Sequence, residues 1–364
     1  MRRTLVSLAG LLALTASAAG PAAYAVPDRD ATATEVPVRT LHPLALRRGP
    51  DAALDHLQDG VIHTASGRTV RVRVPYGAGQ VALLGRSGNA WLVAWGTGRS
   101  SSGYHFRVSR IRAGHAPVEV PRQREVSFGE DFHGWRLDRN GSRLVSTTYD
   151  RGGTTTRVRD VRTGARLDDA YTGAFYTPFD VADGHVATFA ENERGGLRVV
   201  DWEVGVGMTT LAKRAVHVDL RRDVAYVRVG GRDFGPTSVS APGTPAWGAP
   251  FAPLDLSPDG SLAVGLGVPR SGFDDRGVLE VRDTADGTLL DAVSLGDHIT
   301  MANWSITTAH EQTIRWEDDT HFVVQLGVRG GEVLVRCRVA GRCERASDVG
   351  SDVTTPYESF MWPR

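Results

Sequence analysis

Four stretches of this 364-residue chain gather residue types able to bind or react. Glu130-Asp-Phe-His-Gly-Trp135 combines two carboxylates, an imidazole and an indole. Phe175-Tyr-Thr-Pro-Phe-Asp180 sets Tyr176 and Phe179 beside a carboxylate, and Trp247-Gly-Ala-Pro-Phe251 carries two large rings. Asp297 and His298 precede Trp304 and the His310-Glu311 pair. Carboxylate with imidazole is a donor set for a divalent cation, so Glu130, Asp131, His133, Asp297 and His298 are candidate ligands. A metal held there could activate water for a hydrolase-, lactonase- or lyase-like reaction, although nothing in the spacing singles out a metal. Aromatic and acidic groups on a rigid support also hold a peptide, a protein loop or a sugar, because rings bring large contact area at small entropic cost. In a third reading Trp135, Phe179 and Phe251 cover packed interfaces, while His133 and His298 are solvated or bonded to backbone.

Reaction motifs do not accompany these clusters. The sequence has no Gly-x-Ser-x-Gly elbow, no His-Glu-x-x-His, no phosphate loop and no Cys-x-x-Cys. The expectation is therefore a non-enzymatic protein that binds a macromolecule, peptide or glycan through Glu130, Asp131, His133, Trp135, Tyr176, Phe179, Trp247, Asp297, His298 and Trp304, with no cofactor. A metal-assisted enzyme is the alternative.

A repeated β unit must position these residues. Its clearest copy runs from Leu254 to Leu266 and from Val278 to Val293. Ser257-Pro258-Asp259-Gly260 reads as a turn, because Pro presets φ, Asp tolerates the left-handed region and Gly supplies positive φ. Thr284-Ala285-Asp286-Gly287 reads as a second turn, so the unit is four antiparallel strands in sequence. Versions of the first turn recur at Arg86-Ser-Gly-Asn89, Asp138-Arg-Asn-Gly141, Ala182-Asp-Gly184, Arg221-Arg-Asp223 and Glu317-Asp-Asp319. Versions of the second half recur at Val158 to Leu167 and Val199 to Gly205. Spacings of roughly 37 to 60 residues suit propeller blades with hairpins of unequal length.

Val61 to Val70 aligns with the second half of the unit and has no first half before it. The missing strand is expected from the C-terminal run Pro356 to Trp362, which would close a ring and remove its open edges. These observations predict an all-β, seven-bladed β-propeller of four-stranded antiparallel blades whose last blade joins both chain ends, with six or eight blades as alternatives. The Ser-Pro-Asp-Gly turn before an apolar strand, followed by Val281-Arg-Asp-Thr-Ala-Asp-Gly287, resembles WD40-like and TolB-type propeller repeats over about residues 53 to 362. That resemblance implies the fold and transfers no chemistry. Connections leading into successive blades would then converge on one funnel face, where the four clusters meet. A β-sandwich is the competing architecture, and only Asp51 to Gln58, after Pro50, reads as a short helix.

Arg2 and Arg3 before the apolar run Leu5 to Ala16, with Ala23-Tyr-Ala25 as a cleavage pattern, read as a secretory signal over residues 1–25. Residues 26–50, rich in Pro, Asp, Thr and Ala, read as a flexible leader, and 51–364 as a single propeller domain. The bias to Arg over the single Lys213 points to a high-GC, actinobacterial genome. Without Arg2 and Arg3 the chain has 40 basic against 42 acidic residues, which argues against nucleic acid as a partner. The protein is expected to be secreted, monomeric and not inserted in a membrane. Cys337 and Cys343 flank a hairpin tip and should form a disulfide in an oxidising compartment.

Overall fold

The computed structural model describes residues 36–73, 78–100, 103–127, 135–150, 153–172, 178–191, 197–267, 277–295, 314–350 and 353–354. Val36 to Arg364 cluster as one compact unit. No helix among the described residues is long and apolar enough to cross a membrane. Strands follow from short runs rich in Val, Thr and aromatic residues between turn formers. In Gly153–Asp160, for example, Thr154, Thr156 and Val158 are buried while Thr155, Arg157 and Arg159 are less so, a two-residue period.

The strands form seven sheets, the blades of a propeller. Blade 2 comprises Ala78–Ser87, Ala90–Ser100, Gly103–Ile111 and Val118–Ser127. Blade 3 comprises Arg136–Leu137, Arg143–Asp150, Gly153–Asp160 and Arg166–Thr172. Blade 4 is built from Asp180–Ala182, His185–Glu191, Leu197–Glu203 and Gly207–Ala212. Blade 5 has three strands, Ala215–Asp219, Val224–Gly230 and Asp233–Ser238. Blade 6 contains Phe251–Leu256, Leu262–Gly267, Val278–Asp283 and Leu289–Ser294, and blade 7 Ile314–Trp316, His321–Val328, Gly331–Arg338 and Cys343–Arg345. The turns read from sequence link the first and second strands of blades 2 to 7. First strands of successive blades contact one another, as in blades 2 and 3 or 6 and 7.

Blade 1 closes the ring. His56–Gln58, Val61–His63 and Thr69–Arg71 come from the N-terminal part of the domain, and Val353–Thr354 pairs antiparallel with His56–Gln58 through Leu57↔Thr354 and Gln58↔Val353. The closing strand thus lies slightly before Pro356 to Trp362, which fall outside the described residues. The segment expected to be a short helix instead supplies a strand at 56–58, because Leu57 pairs with both Ile62 and Thr354.

Residues 36–50 are not a flexible leader. Val38–Thr40 adds to the outer edge of blade 6 in parallel with Leu289–Ser294, and Pro43–Ala45 forms a short 3-10 turn with Pro43 in its first turn. Arg48 then bridges Arg345 at the edge of blade 7. Leu41 is buried in the core of blades 6 and 7 with Leu46 packed against it, and charge adds to the anchoring: Arg39 pairs with the buried Asp291, whose carboxylate also accepts the Ala340 N–H of blade 7.

Cores lie between blades. Phe106 of blade 2 meets Trp135 edge-on with ring centres 6.2 Å apart, packed with Leu137 and Leu144 of blade 3. Phe179 and Phe189 of blade 4 pack with Val218 and Ala225 of blade 5. Each such side chain, fully buried, is worth about 1.5–3 kcal/mol. Cys337 and Cys343 are register partners in blade 7 and are joined by a disulfide. Its small loop limits the chain-entropy gain to about 2 kcal/mol.

Candidate functional site

Of the residues nominated from sequence, Glu130, Asp131, His133, Tyr176, Asp297, His298 and Trp304 lie outside the described residues. Trp135 and Phe179 are placed in the cores between blades, 0% and 5% exposed, as is Phe251 at 0%. They cover interfaces and present no surface to a ligand. Trp247 also departs from the expected convergence, for a topological reason. Because blade 5 has three strands, the chain leaves it at the opposite end and returns along its outer edge, where Phe234 and Ala249 form an isolated antiparallel bridge. Trp247 lies on this return path. Its Nε1 donates to Thr284 O of blade 6 at 2.9 Å, and its ring meets Tyr226 edge-on at 5.9 Å.

At the end of the ring bearing the first-to-second-strand turns, polar groups bind neighbouring blades together. Asp180 accepts the Leu220 N–H at 2.9 Å, joining blades 4 and 5. Arg222 donates to Ser257 O at 2.7 Å and Pro258 O at 3.1 Å, joining 5 and 6. Asp319 accepts the Asp259 N–H at 2.9 Å, joining 6 and 7. Local side-chain bonds shape each turn: Asp259 accepts from the Ser257 hydroxyl at 2.6 Å and the Ser261 N–H at 3.0 Å, an arrangement that mimics a backbone turn.

Those bonds set the ionisation. Hydrogen bonds from Ser257 and Ser261 hold the Asp259 carboxyl below its ordinary range. Burial opposes ionisation of Asp219, but the charge of Arg139 and bonds from Arg222 outweigh it and lower the pKa. Deep burial pushes the Asp255 carboxyl up despite the charge of Arg315 and the Trp316 N–H. The first two are anions already engaged in structure.

One cavity opens at this end, in the seam between blades 5 and 6, with a volume of about 500 Å³. Blade 5 contributes Arg221, Arg222, Val224, Tyr226 and Pro236; blade 6 contributes the Leu256 to Gly260 turn and Thr284. The Tyr226 hydroxyl is buried without a hydrogen-bond partner, and burial together with the Asp283 charge pushes its pKa up. Arg222 is held by Asp219 and two carbonyls, whereas Arg221, exposed at the rim, makes no bond or ion pair among the described residues. In the sequence, Arg221-Arg222-Asp223 is legible only as a turn, and Tyr226 carries no sign of a site. The signal available was a basic pair in a turn position, which does not say that a second blade will face it.

No protein-family model matches the chain, and no curated protein matches it in sequence. Solved structures do resemble it. An uncharacterized protein of Listeria monocytogenes is 8% identical, with 80% of this chain and 93% of that chain covered and a TM-score of 0.50. TolB of Acinetobacter baumannii is 12% identical over 85% of this chain and 80% of its own, with a TM-score of 0.45. A functionally unknown protein of Desulfotomaculum acetoxidans is 10% identical over 85% and 98%, with a TM-score of 0.47. At 8% identity the first likeness reaches the fold alone, and the seven sheets make this chain a seven-bladed β-propeller.

Proposed function

We propose that the chain is an exported, non-enzymatic binding propeller that takes a macromolecule, peptide or glycan at the end of the ring opposite the turns described above. One observation carries this reading. Blades 2, 3, 4, 6 and 7 each have an even number of sequential antiparallel strands, so the chain leaves each at the end where it arrived. The described strands flanking residues 128–134, 173–177 and 296–313 therefore start and finish at one end of the ring. Those segments carry Glu130, Asp131, His133, Tyr176, Asp297, His298 and Trp304, and convergent aromatic and acidic groups on a rigid ring favour recognition. Export is supported by the N-terminal apolar run and the Cys337–Cys343 disulfide.

A glycan array and a peptide library probed with wild type and with Tyr176→Ala/Trp304→Ala test it. A ligand captured by the wild type should lose roughly tenfold or more in affinity on the double variant. Equal binding by both proteins would move recognition away from this face. A stoichiometric, chelatable metal ion in protein purified without chelator would favour the catalytic alternative instead.

A further inference from the structure

We infer that the cavity between blades 5 and 6 is a second binding site, selective for a carboxylate attached to a small apolar body. It lies at the end of the ring that bears the first-to-second-strand turns and does not depend on the proposed function. Three features argue for it.

The first is donor capacity. The cavity has two guanidiniums and one carboxylate: Arg222 is taken up by Asp219 and by the Ser257 and Pro258 carbonyls, while Asp259 stays an anion whose oxygens accept from Ser257 and Ser261. Arg221 remains with its donors unused by any bond or ion pair among the described residues. A guanidinium with free donors takes a carboxylate in paired hydrogen bonds.

The second is the Tyr226 hydroxyl. Tyr226 is one of the residues bordering the cavity, is 0% exposed, and its hydroxyl oxygen has no partner. Leaving a buried polar atom unpaired is unfavourable, and a partner from outside the chain can complete its bonding.

The third is shape. Val224, Leu256, Pro236 and Pro258 supply apolar walls beside these polar groups, and a volume near 500 Å³ suits a small organic ligand. Pro236 lies on the outermost strand of blade 5, next to Phe234, so the cavity opens where this blade lacks a regular fourth strand. Trp247, on the irregular return, braces two of the lining residues through its contacts with Tyr226 and Thr284.

The test is isothermal titration of the full chain with N-acetyl-leucine and with N-acetyl-leucinamide, which differ in the carboxylate. The acid should bind saturably and the amide should not. Arg221→Ala should weaken the acid by roughly fivefold or more, with an unchanged melting temperature because Arg221 bonds nothing. Tyr226→Phe should keep or raise stability, since it deletes an unpaired buried group, and should also weaken the acid. A short peptide ending in leucine, free or amidated, separates the sources. Binding of the free-ended peptide assigns the site to chain ends, and its failure beside a bound N-acetyl-leucine assigns it to small acids. Equal binding of acid and amide, no binding of either, or an unaffected Arg221→Ala would overturn the inference. So would loss of acid binding in Trp304→Ala, which would place the acid at the funnel end.

Discussion

Leu57 and Thr354 are register partners in one sheet, near opposite ends of the described chain. The ladder between them turns an open row of blades into a ring and covers the edge that blade 1 would otherwise expose. Deleting residues 351–364 should lower the thermal midpoint by several degrees and produce dimers or aggregates in size-exclusion chromatography, through exposed edges. A truncated chain that stays monomeric with an unchanged midpoint would show that this closure contributes little.

Arg39 joins three parts of the molecule. Its guanidinium binds Asp291 on blade 6 and Gly341 O on blade 7, while its own strand runs along blade 6. The Asp291 side chain is only 3% exposed, so Arg39→Ala leaves a buried carboxylate short of its main partner. Because Arg39 itself is 32% exposed, solvent screens part of the loss, and about 1–3 kcal/mol should disappear from the denaturant-derived stability. The same variant should be cut more readily by protease between residues 36 and 50.

Gly287 has φ +77°, and a Cβ there would sit 2.6 Å from Cε3 of Trp247. Gly287→Ala should cost on the order of 2–3 kcal/mol, combining left-handed strain with displacement of the indole. Adding Trp247→Ala should recover part of that cost, and a double-mutant cycle in urea measures the coupling. Strictly additive losses would mean the indole and the turn are independent.

Asp318 shapes the first turn of blade 7. Burial is the largest single influence and raises its pKa, but the bonds from Thr320 and His321 together outweigh it and lower the value from 3.8 to about 2. A depressed carboxyl stabilises the fold above its unfolded value and loses that contribution as pH falls through the folded one. Stability should therefore decline between pH 4 and pH 2, and Asp318→Asn should be less stable near neutrality with a shallower decline across that window. The readout is the urea midpoint at each pH, and parallel curves for the two proteins would dismiss the linkage.

The blades were legible because their information is local. Ser257 to Gly260 and Thr284 to Gly287 each encode a turn within a few residues, and short runs rich in Leu, Val and Ala encode the strands beside them. The pairing of Cys337 with Cys343 follows from the same hairpin logic. Val61 to Val70, lacking a first half, pointed correctly to a blade shared by both ends, although the closing strand came from Val353–Thr354.

The pairing of Val38–Thr40 to blade 6, the displaced Trp247 and the seam cavity were invisible for one physical reason: each depends on where a different blade stands. Val38–Thr40 has no apolar period and is held by parallel pairing to a strand formed near residue 290. Trp247 sits within a cluster that sequence assigned to the funnel, and only the absence of a fourth strand from blade 5 sends it to the outer edge. Arg221 and Tyr226 face Pro258 and Thr284 solely because ring closure presses blade 5 against blade 6. The amino-acid order by itself determined the repeating sheet and its turns, since those arise from neighbouring residues. Tertiary structure alone decided which side chains became core, joint or cavity, because burial and charge pairing are properties of surfaces that meet only after the ring has formed.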